Sequence, residues 1–141
     1  MYSQYGKNFV KTILRLSRDR PSISVASDQW GKPTSANELT DGLLKICTDW
    51  SEGKTTGLGE TFHLAGSKKT SWSDFARLIF ELDSANGEPA TVINDIPTHE
   101  YPTLAARPKN SVLDGEKFCD AYRFELKSIE ESINEVLRKI D

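Results

Sequence analysis

The stretch ISVASDQWGKPTSANEL, residues 23–39, decides the fold class of this chain. Its first segment, Ile23–Ala26, is apolar or small and predicts a short β-strand. A loop that contains Gly31 and Pro33 follows, and Ser35 and Glu38 then have the spacing of a helix capping box. Strand, loop and helix in this order are typical of an α/β protein.

The same alternation continues along the rest of the sequence. Cap signals followed by apolar residues at helical spacing predict five helices, which begin at or just after Asn8, Ser35, Ser71, Asp114 and Ser128. Extended stretches between them predict strands over Ile23–Ala26, Thr61–Leu64, Val92–Ile96 and Ser111–Leu113. Strands this short make a poor independent sheet, so we expect an α/β fold with some parallel pairing that belongs to a larger protein.

Four of the predicted helices carry an apolar stripe that we expect to face the core. The third helix is predicted to stop at Gly87, and the last repeats the capping box with Ser128 and Glu131. The stripes are, in chain order, Phe9, Val10, Ile13, Leu14 and Leu16; Leu39, Leu43, Ile46 and Trp50; Trp72, Phe75, Ala76, Ile79 and Leu82; and Ile129, Ile133, Val136, Leu137 and Ile140.

Composition excludes several classes of protein. The 141 residues make up about one domain and carry a net charge of −3, which argues against a nucleic-acid partner. There is no apolar run of membrane-spanning length and no signal-peptide pattern, so we expect a cytoplasmic protein with no membrane partner. Cys47 and Cys119 lie far apart with no Cys/His cluster, which predicts two reduced, largely buried thiols and no metal site.

The familiar catalytic motifs are absent from the sequence. Gly57-Leu58-Gly59 precedes a predicted strand and lacks a third glycine, so we interpret it as a turn and not as a dinucleotide-binding loop. For His63 and His99, structural or solvated roles are favoured over catalysis. The cationic residues Lys11, Arg15 and Arg18 line one side of the first helix, a pattern that is usually a solvated face.

Two loops hold the candidate binding residues. The loop of residues 27–34 places Gln29 and Lys32 at the carboxyl end of a predicted strand, where α/β proteins bind ligands. Its alternative role is a tight turn with Trp30 packed over it. In the proline-rich stretch of residues 97–114, Arg107 can present its guanidinium to a phosphate, or it can pair with a nearby acid.

Five segments in order make this sequence resemble a known family. They are GKNFV at residues 6–10, DQxGxPT at 28–34, FHLAG at 62–66, SWxDFA at 71–76 and EYPTxAxRPxNSxLD at 100–114. Each is weak alone, but together they closely resemble the C-terminal half of the dTDP-4-dehydrorhamnose reductases, which are extended short-chain dehydrogenases/reductases. The resemblance covers nearly the whole chain and weakens after about Phe118.

The resemblance implies a reductase that transfers hydride from NADPH or NADH to the 4-keto group of dTDP-4-dehydro-L-rhamnose. In that family the glycine-rich cofactor loop and the catalytic Thr, Tyr and Lys lie in the N-terminal half, which this sequence does not contain. We therefore expect residues 1–141 to be a single substrate-binding portion that is inactive alone and binds no NADPH or NADH. The predicted contacts with the dTDP-sugar are Asn8, Gln29, Lys32, Tyr101 and Arg107.

Two other functions remain open on the sequence. One is a non-catalytic relative of these reductases, such as the regulatory subunit of methionine adenosyltransferase. The other is a different nucleotide-sugar ketoreductase or epimerase. In every case, exposed strand edges and apolar helix faces predict a homodimer or a strand-exchanged assembly.

Overall fold

Among residues 1–84, 91–101 and 107–140, which a computed structural model describes, five α-helices alternate with four short strands. A single 3₁₀ turn, Thr98–Glu100, follows the last strand. This α/β alternation confirms the predicted fold class. The helices are α1 Phe9–Asp19, α2 Ala36–Ser51, α3 Trp72–Ser84, α4 Glu116–Tyr122 and α5 Ile129–Leu137; the strands are β1 Ser22–Ala26, β2 Trp30–Gly31, β3 Thr70–Ser71 and β4 Val92–Ile96.

The strands form two separate pairs. β1 and β4 are parallel, in a register that runs from Ser22 opposite Val92 to Ala26 opposite Ile96. β2 and β3 are antiparallel and pair through only two residues each. An isolated bridge joins Trp30 to Asn110. Because β1 and β4 are parallel, their carboxyl ends lie at the same edge of the pair. The loops that follow the two strands therefore begin next to each other.

Two of the predicted strands are wrong. Residues 61–64 form no strand, since no other strand of the described chain lies beside them to pair with. Residues 111–113 form none either: Ser111 N–H donates to the Trp30 carbonyl at 2.9 Å, but the ladder does not extend past the bridge at Asn110. An extended sequence pattern becomes a strand only where a neighbour accepts its hydrogen bonds.

The core forms around α3. Phe75, Ala76 and Ile79 of this helix are buried, and α3 packs against α1, α5, β1 and β4. The Phe9 ring stacks on Phe75, with the ring centroids 5.6 Å apart. The apolar stripes predicted for α1, α3 and α5 are thus confirmed as core-facing. The buried cluster contains Tyr2, Val10, Ile13, Leu14, Ile23, Val25, Phe75, Ala76, Ile79, Ile129, Ile133 and Val136.

The helix starts agree with the predicted caps except at α2 and at α4, where the helix begins at Glu116 after Gly115 and not at Asp114. At α5, Ser128 and Glu131 form both bonds of the capping box. At α2, the Ser35 hydroxyl accepts from Asn37 N–H at 3.2 Å, but Glu38 does not return to the cap. Its buried carboxylate accepts instead from Lys127 N–H at 2.8 Å. The capping box predicted there is wrong, because the Glu38 carboxylate accepts from the backbone before α5 and not from the N-cap of α2. The predicted stop of α3 at Gly87 lies outside the described residues.

Helix α2 does not bury the stripe predicted for it: Leu39 and Ile46 are half-buried, and the other two residues are exposed. Leu43 is 54% exposed and Trp50 is 44% exposed, whereas Gly42 and Asp49 are buried. The carboxylate of Asp49 accepts from the ammonium groups of Lys45, at 2.6 Å, and Lys54, at 2.8 Å. The hydrogen bond from Lys45 is the main reason that the pKa of Asp49 is lowered. We call Leu43, Leu44 and Trp50 the α2 apolar face.

The cysteines are free, but they are not both buried. Cys47 is exposed on α2, so the prediction of a buried thiol is wrong there, while Cys119 is half-buried in α4. Desolvation by its surroundings raises the pKa of the Cys119 thiol. No helix in the described part of the chain is both long and apolar enough to cross a membrane.

The predicted turn at Gly57 and Gly59 is confirmed, since both residues have φ of +76°. A β-carbon on Gly57 would overlap the Tyr122 hydroxyl, which donates to the Thr56 carbonyl at 2.9 Å, whereas a β-carbon on Gly59 meets no atom within 4 Å. Gly59→Ala should therefore cost about 1–2 kcal/mol, the cost of a left-handed conformation. Gly57→Ala should cost about 1–3 kcal/mol more, from overpacking.

Urea unfolding of both variants, followed by tryptophan fluorescence, measures the difference in the free energy of unfolding. Because the two positions share the same φ, Gly59→Ala is the matched control for the backbone contribution. Equal destabilisation of the two variants would contradict the proposed packing of Tyr122 against this turn.

Candidate functional site

A cavity of about 310 Å³ lies beside β1, between this strand and α1. Apolar side chains of both elements and of α3 form its floor. Gln29, Tyr101 and Arg107 add polar groups to its lining. Three of the five predicted substrate-binding residues are therefore brought to one place. The apolar floor includes Phe9, Ile13, Leu16, Ile23, Val25 and Trp72.

Hydrogen bonds from Thr98 fix the loop that carries Gln29. The Asp28 carboxylate accepts from the backbone N–H of Thr98 at 2.8 Å and also from its hydroxyl. The Gln29 amide nitrogen donates to the same hydroxyl oxygen at 3.1 Å. Gln29 is only 6% exposed, so its amide has a fixed orientation at the cavity. The bond from the Thr98 hydroxyl is the main cause of the lowered pKa of Asp28.

Two backbone hydrogen bonds hold the segment after Arg107 against β2. Trp30 N–H donates to the Lys109 carbonyl at 2.8 Å, and Ser111 N–H donates to the Trp30 carbonyl at 2.9 Å. Arg107 thereby lies exposed at the rim of the cavity and forms no ion pair with any described residue. Its guanidinium is positioned at the rim where a phosphate could accept from it, and the choice between its two predicted roles stays a prediction.

The Trp30 side chain lies outside the cavity. Its ring is 38% exposed, lies under the Lys69 ammonium at 5.2 Å, and does not line the cavity. The cation–π contact with Lys69 occupies the ring face that a ligand could have used. Trp30 is therefore a surface residue of the β2–β3 pair. It contributes to the site through its backbone hydrogen bonds with Lys109 and Ser111.

Asn8 and Lys32 do not line the cavity. The Asn8 side chain caps α1, where its oxygen accepts from Lys11 N–H at 3.2 Å and its nitrogen donates to the Ser3 carbonyl at 2.7 Å. Lys32 is half-buried in the loop that leads to α2. Their contact with substrate stays a prediction. Both histidines are exposed.

Sequence reasoning missed Thr98, which positions both Asp28 and Gln29. The signal that selects it depends on knowing that β1 pairs with β4. Asp28 lies two residues after β1 and Thr98 lies two residues after β4, and these two strands are paired in parallel register. Side chains at equal distances beyond two parallel neighbouring strands meet at the same edge.

Comparison with known proteins now connects this geometry to a family. Residues 1–141 match the family described as RmlD substrate binding domain. The chain belongs to this family. The predicted resemblance to the C-terminal half of these reductases is thus confirmed over the whole chain.

Relatives of this RmlD-type domain are about twice its length. The dTDP-4-dehydrorhamnose reductase of Sinorhizobium fredii is 38% identical over 133 residues, which cover 94% of this chain and 45% of that protein. The reductase of the same name from Aggregatibacter actinomycetemcomitans is 40% identical over 123 residues, which cover 86% of this chain and 42% of that protein. The chain therefore spans about half the length of the curated relatives it matches.

A solved structure has the same fold. The dTDP-4-dehydrorhamnose reductase from Bacillus anthracis str. Ames, in complex with NADP, superposes with a TM-score of 0.80 at 30% identity. The match covers 98% of this chain and 45% of that one. The α/β arrangement around the cavity is therefore that of a portion of this reductase.

The anchoring of the Gln29 loop by Asp28 predicts a pH dependence of stability. A carboxyl group whose pKa is lowered in the folded state stabilises that state above its ordinary pKa of 3.8. This contribution is lost as the pH falls from that value through the lowered pKa. Replacing the carboxyl by an amide, in Asp28→Asn, should remove this dependence. The variant should therefore be less stable than wild type at neutral pH, and the two should converge on acidification.

Urea unfolding at a series of pH values from neutrality down to about pH 2 measures this convergence, which begins near pH 3.8. Asp19→Asn, at the exposed end of α1, is the matched control. Its free energy of unfolding should differ from that of wild type by the same amount at every pH. A constant difference between Asp28→Asn and wild type at every pH would contradict the role given to the Asp28–Thr98 bonds.

Proposed function

We propose that this chain is the substrate-binding part of an NAD(P)H-dependent reductase that acts on the 4-keto group of dTDP-4-dehydro-L-rhamnose. The observation that carries the proposal is the match of the whole chain to the RmlD substrate binding domain family. Relatives that share this region are named dTDP-4-dehydrorhamnose reductases, and a solved neighbour holds NADP.

The chemistry of the cavity supports a nucleotide-sugar ligand. Such a ligand carries a diphosphate, which needs hydrogen-bond donors, and flat or puckered rings, which need apolar walls. The Arg107 guanidinium at the rim suits a phosphate because its planar fork can donate two parallel hydrogen bonds. Gln29 and Tyr101 add polar contacts above the apolar floor. Asn8 and Lys32 are proposed as further contacts outside the cavity lining.

The reaction also needs groups that this sequence does not contain. Hydride transfer requires a nicotinamide held against the keto carbon and an acid that protonates the developing alkoxide. The sequence has no glycine-rich dinucleotide loop and no tyrosine followed four residues later by a lysine. We therefore propose that a dinucleotide-binding portion, comparable to the additional length of the relatives, supplies both.

The α2 apolar face is the proposed contact for that portion. Leu43, Leu44 and Trp50 are large and exposed on the same helix, and large exposed apolar patches mark interaction sites. When the 141-residue chain is alone, the same surface is proposed to pair two copies, as a homodimer or a strand-exchanged assembly.

The central experiment compares the chain alone with a chimera. The chimera joins residues 1–141 to the N-terminal portion of the Bacillus anthracis reductase, whose remaining part superposes on this chain. Oxidation of NADPH, followed by absorbance with dTDP-4-dehydro-L-rhamnose as substrate, should occur with the chimera. The 141-residue chain and the N-terminal portion tested separately should show none.

Two outcomes contradict the proposal. Turnover by the purified chain alone would mean that the catalytic groups have been misplaced. A folded chimera that binds NADPH but leaves this substrate unreduced would exclude the proposed substrate.

Within the chimera, Arg107→Ala tests the phosphate contact. Loss of a hydrogen bond to a charged group costs about 1.5–3 kcal/mol, so KM should rise about tenfold to a hundredfold. Lys109→Ala removes the same charge two residues away, outside the cavity lining, and should leave KM within about twofold of the parent. If the two variants give the same KM, Arg107 does not bind the substrate.

Light scattering tests the assembly proposed for the isolated chain. At high concentration the chain should have the mass of a dimer, and Leu43→Lys should shift it to the monomer because a charge would be buried at the contact. Thr48→Lys adds the same charge at an exposed polar position of α2 and should leave the dimer intact. A monodisperse wild-type monomer would contradict this assembly.

A further inference from the structure

A second groove lies along another face of α1, and Thr12 borders both this groove and the cavity. Its volume is about 710 Å³, and four cationic side chains line it: Lys7, Lys11, Arg15 and Arg18. Leu14 and Ile140 add apolar surface. The site described above does not use this groove.

The helical repeat explains why the cationic residues share one face. Lys11, Arg15 and Arg18 are four and then three residues apart, so they follow one side of α1 over about 10 Å. Phe9 and Ile13, which line the cavity, point to the opposite side. Lys7 precedes the helix in a turn at Gly6, whose φ is +63°. The turn that carries Lys7 and the helix α1 therefore both place cationic side chains along the same groove.

The charges in this groove are uncompensated within the described chain. None of the four cationic residues forms an ion pair with a described residue, whereas Lys45, Lys54 and Arg77 each lie against a carboxylate. The Lys11 ammonium donates to the Gln4 carbonyl at 3.0 Å, which limits its movement away from the groove. Arg15 and Arg18 are exposed.

This arrangement is unfavourable for the isolated domain. Like charges one helical turn apart destabilise a helix, and Asp19, the one acidic residue of α1, forms no ion pair with Arg15 or Arg18. A protein of net charge −3 thus concentrates unpaired positive charge in one concave place. A bound anion would remove the repulsion.

We propose that this groove binds the phosphate chain of a small polyanion, either inorganic or carried by a nucleotide. A row of cations about 10 Å long suits two or three linked phosphates, and guanidinium groups bind phosphate oxygens through paired hydrogen bonds. The concave shape favours a small ligand. The acidic charge of the whole chain disfavours a nucleic acid, which requires a broad basic surface. The proposal is independent of the reductase function.

Isothermal titration calorimetry of the 141-residue chain with tripolyphosphate tests the proposal. Arg15→Ala/Arg18→Ala should bind about tenfold more weakly or worse, and Arg15→Lys/Arg18→Lys should fall between it and wild type. Lys68→Ala/Lys109→Ala makes the same change in net charge on other surfaces and should bind within about twofold of wild type. Circular dichroism verifies that each variant is folded.

A second titration distinguishes inorganic phosphate from a nucleotide, and the groove from the cavity at Arg107. Titration with dTDP in an Arg107→Ala background removes the proposed substrate contact and leaves the groove intact. Affinity for dTDP equal to that for pyrophosphate supports recognition of the phosphates alone, and tighter binding of dTDP supports a nucleotide.

Three results would overturn the proposal. The first is no tripolyphosphate binding at millimolar concentration. The second is an equal loss of affinity in the Lys68→Ala/Lys109→Ala control, which would indicate general surface charge only. The third is binding of heparin that depends on Arg15 and Arg18 without any binding of tripolyphosphate, which would assign the groove to a macromolecular polyanion.

Discussion

The burial of helix α3 is the constraint on which the rest of the structure depends. Phe75, Ala76 and Ile79 are at most 1% exposed and pack between α1, α5 and the β1–β4 pair. Fully burying a large apolar side chain is worth about 1.5–3 kcal/mol, so this one helix accounts for much of the core. Because β1 and β4 both pack on α3, their carboxyl ends are held at one edge. The loop that begins with Asp28 and the turn that contains Thr98 therefore meet.

Local signals predicted the elements whose apolar side is covered within this chain. α1, α3 and α5 have both a periodic stripe and a side-chain cap, and in each the stripe faces the core. At α2 the cap and the apolar periodicity predicted a core-facing stripe that the structure does not have. Periodicity shows which residues are apolar, but it does not show which other element covers them. Glu38 shows that a cap pattern is limited in the same way. The sequence has the residues of a capping box, but the Glu38 carboxylate accepts from Lys127 N–H instead.

The site was predictable in its location and only partly in its members. Gln29, Tyr101 and Arg107 lie at one cavity because two loops converge at the carboxyl ends of parallel strands. Thr98 could not be selected without knowing that β1 and β4 are neighbours, as this pairing joins segments far apart in the sequence. Asn8 lies outside the cavity lining and caps α1, so its predicted contact with the substrate stays a prediction.

The separation along the chain of the contacts around the cavity has a consequence for the order of folding. The Gln29–Thr98 bond joins residues 69 apart and the Asp28–Thr98 bonds join residues 70 apart. Contacts between such distant residues require closure of a long loop before they return any stabilisation, and they slow folding. The backbone hydrogen bonds within α1, α2 and α3 join residues only four apart, so these helices can form earlier. The wall of the cavity is therefore expected to assemble last, after the helices it depends on, so a folding intermediate would be helical yet unable to hold a ligand there.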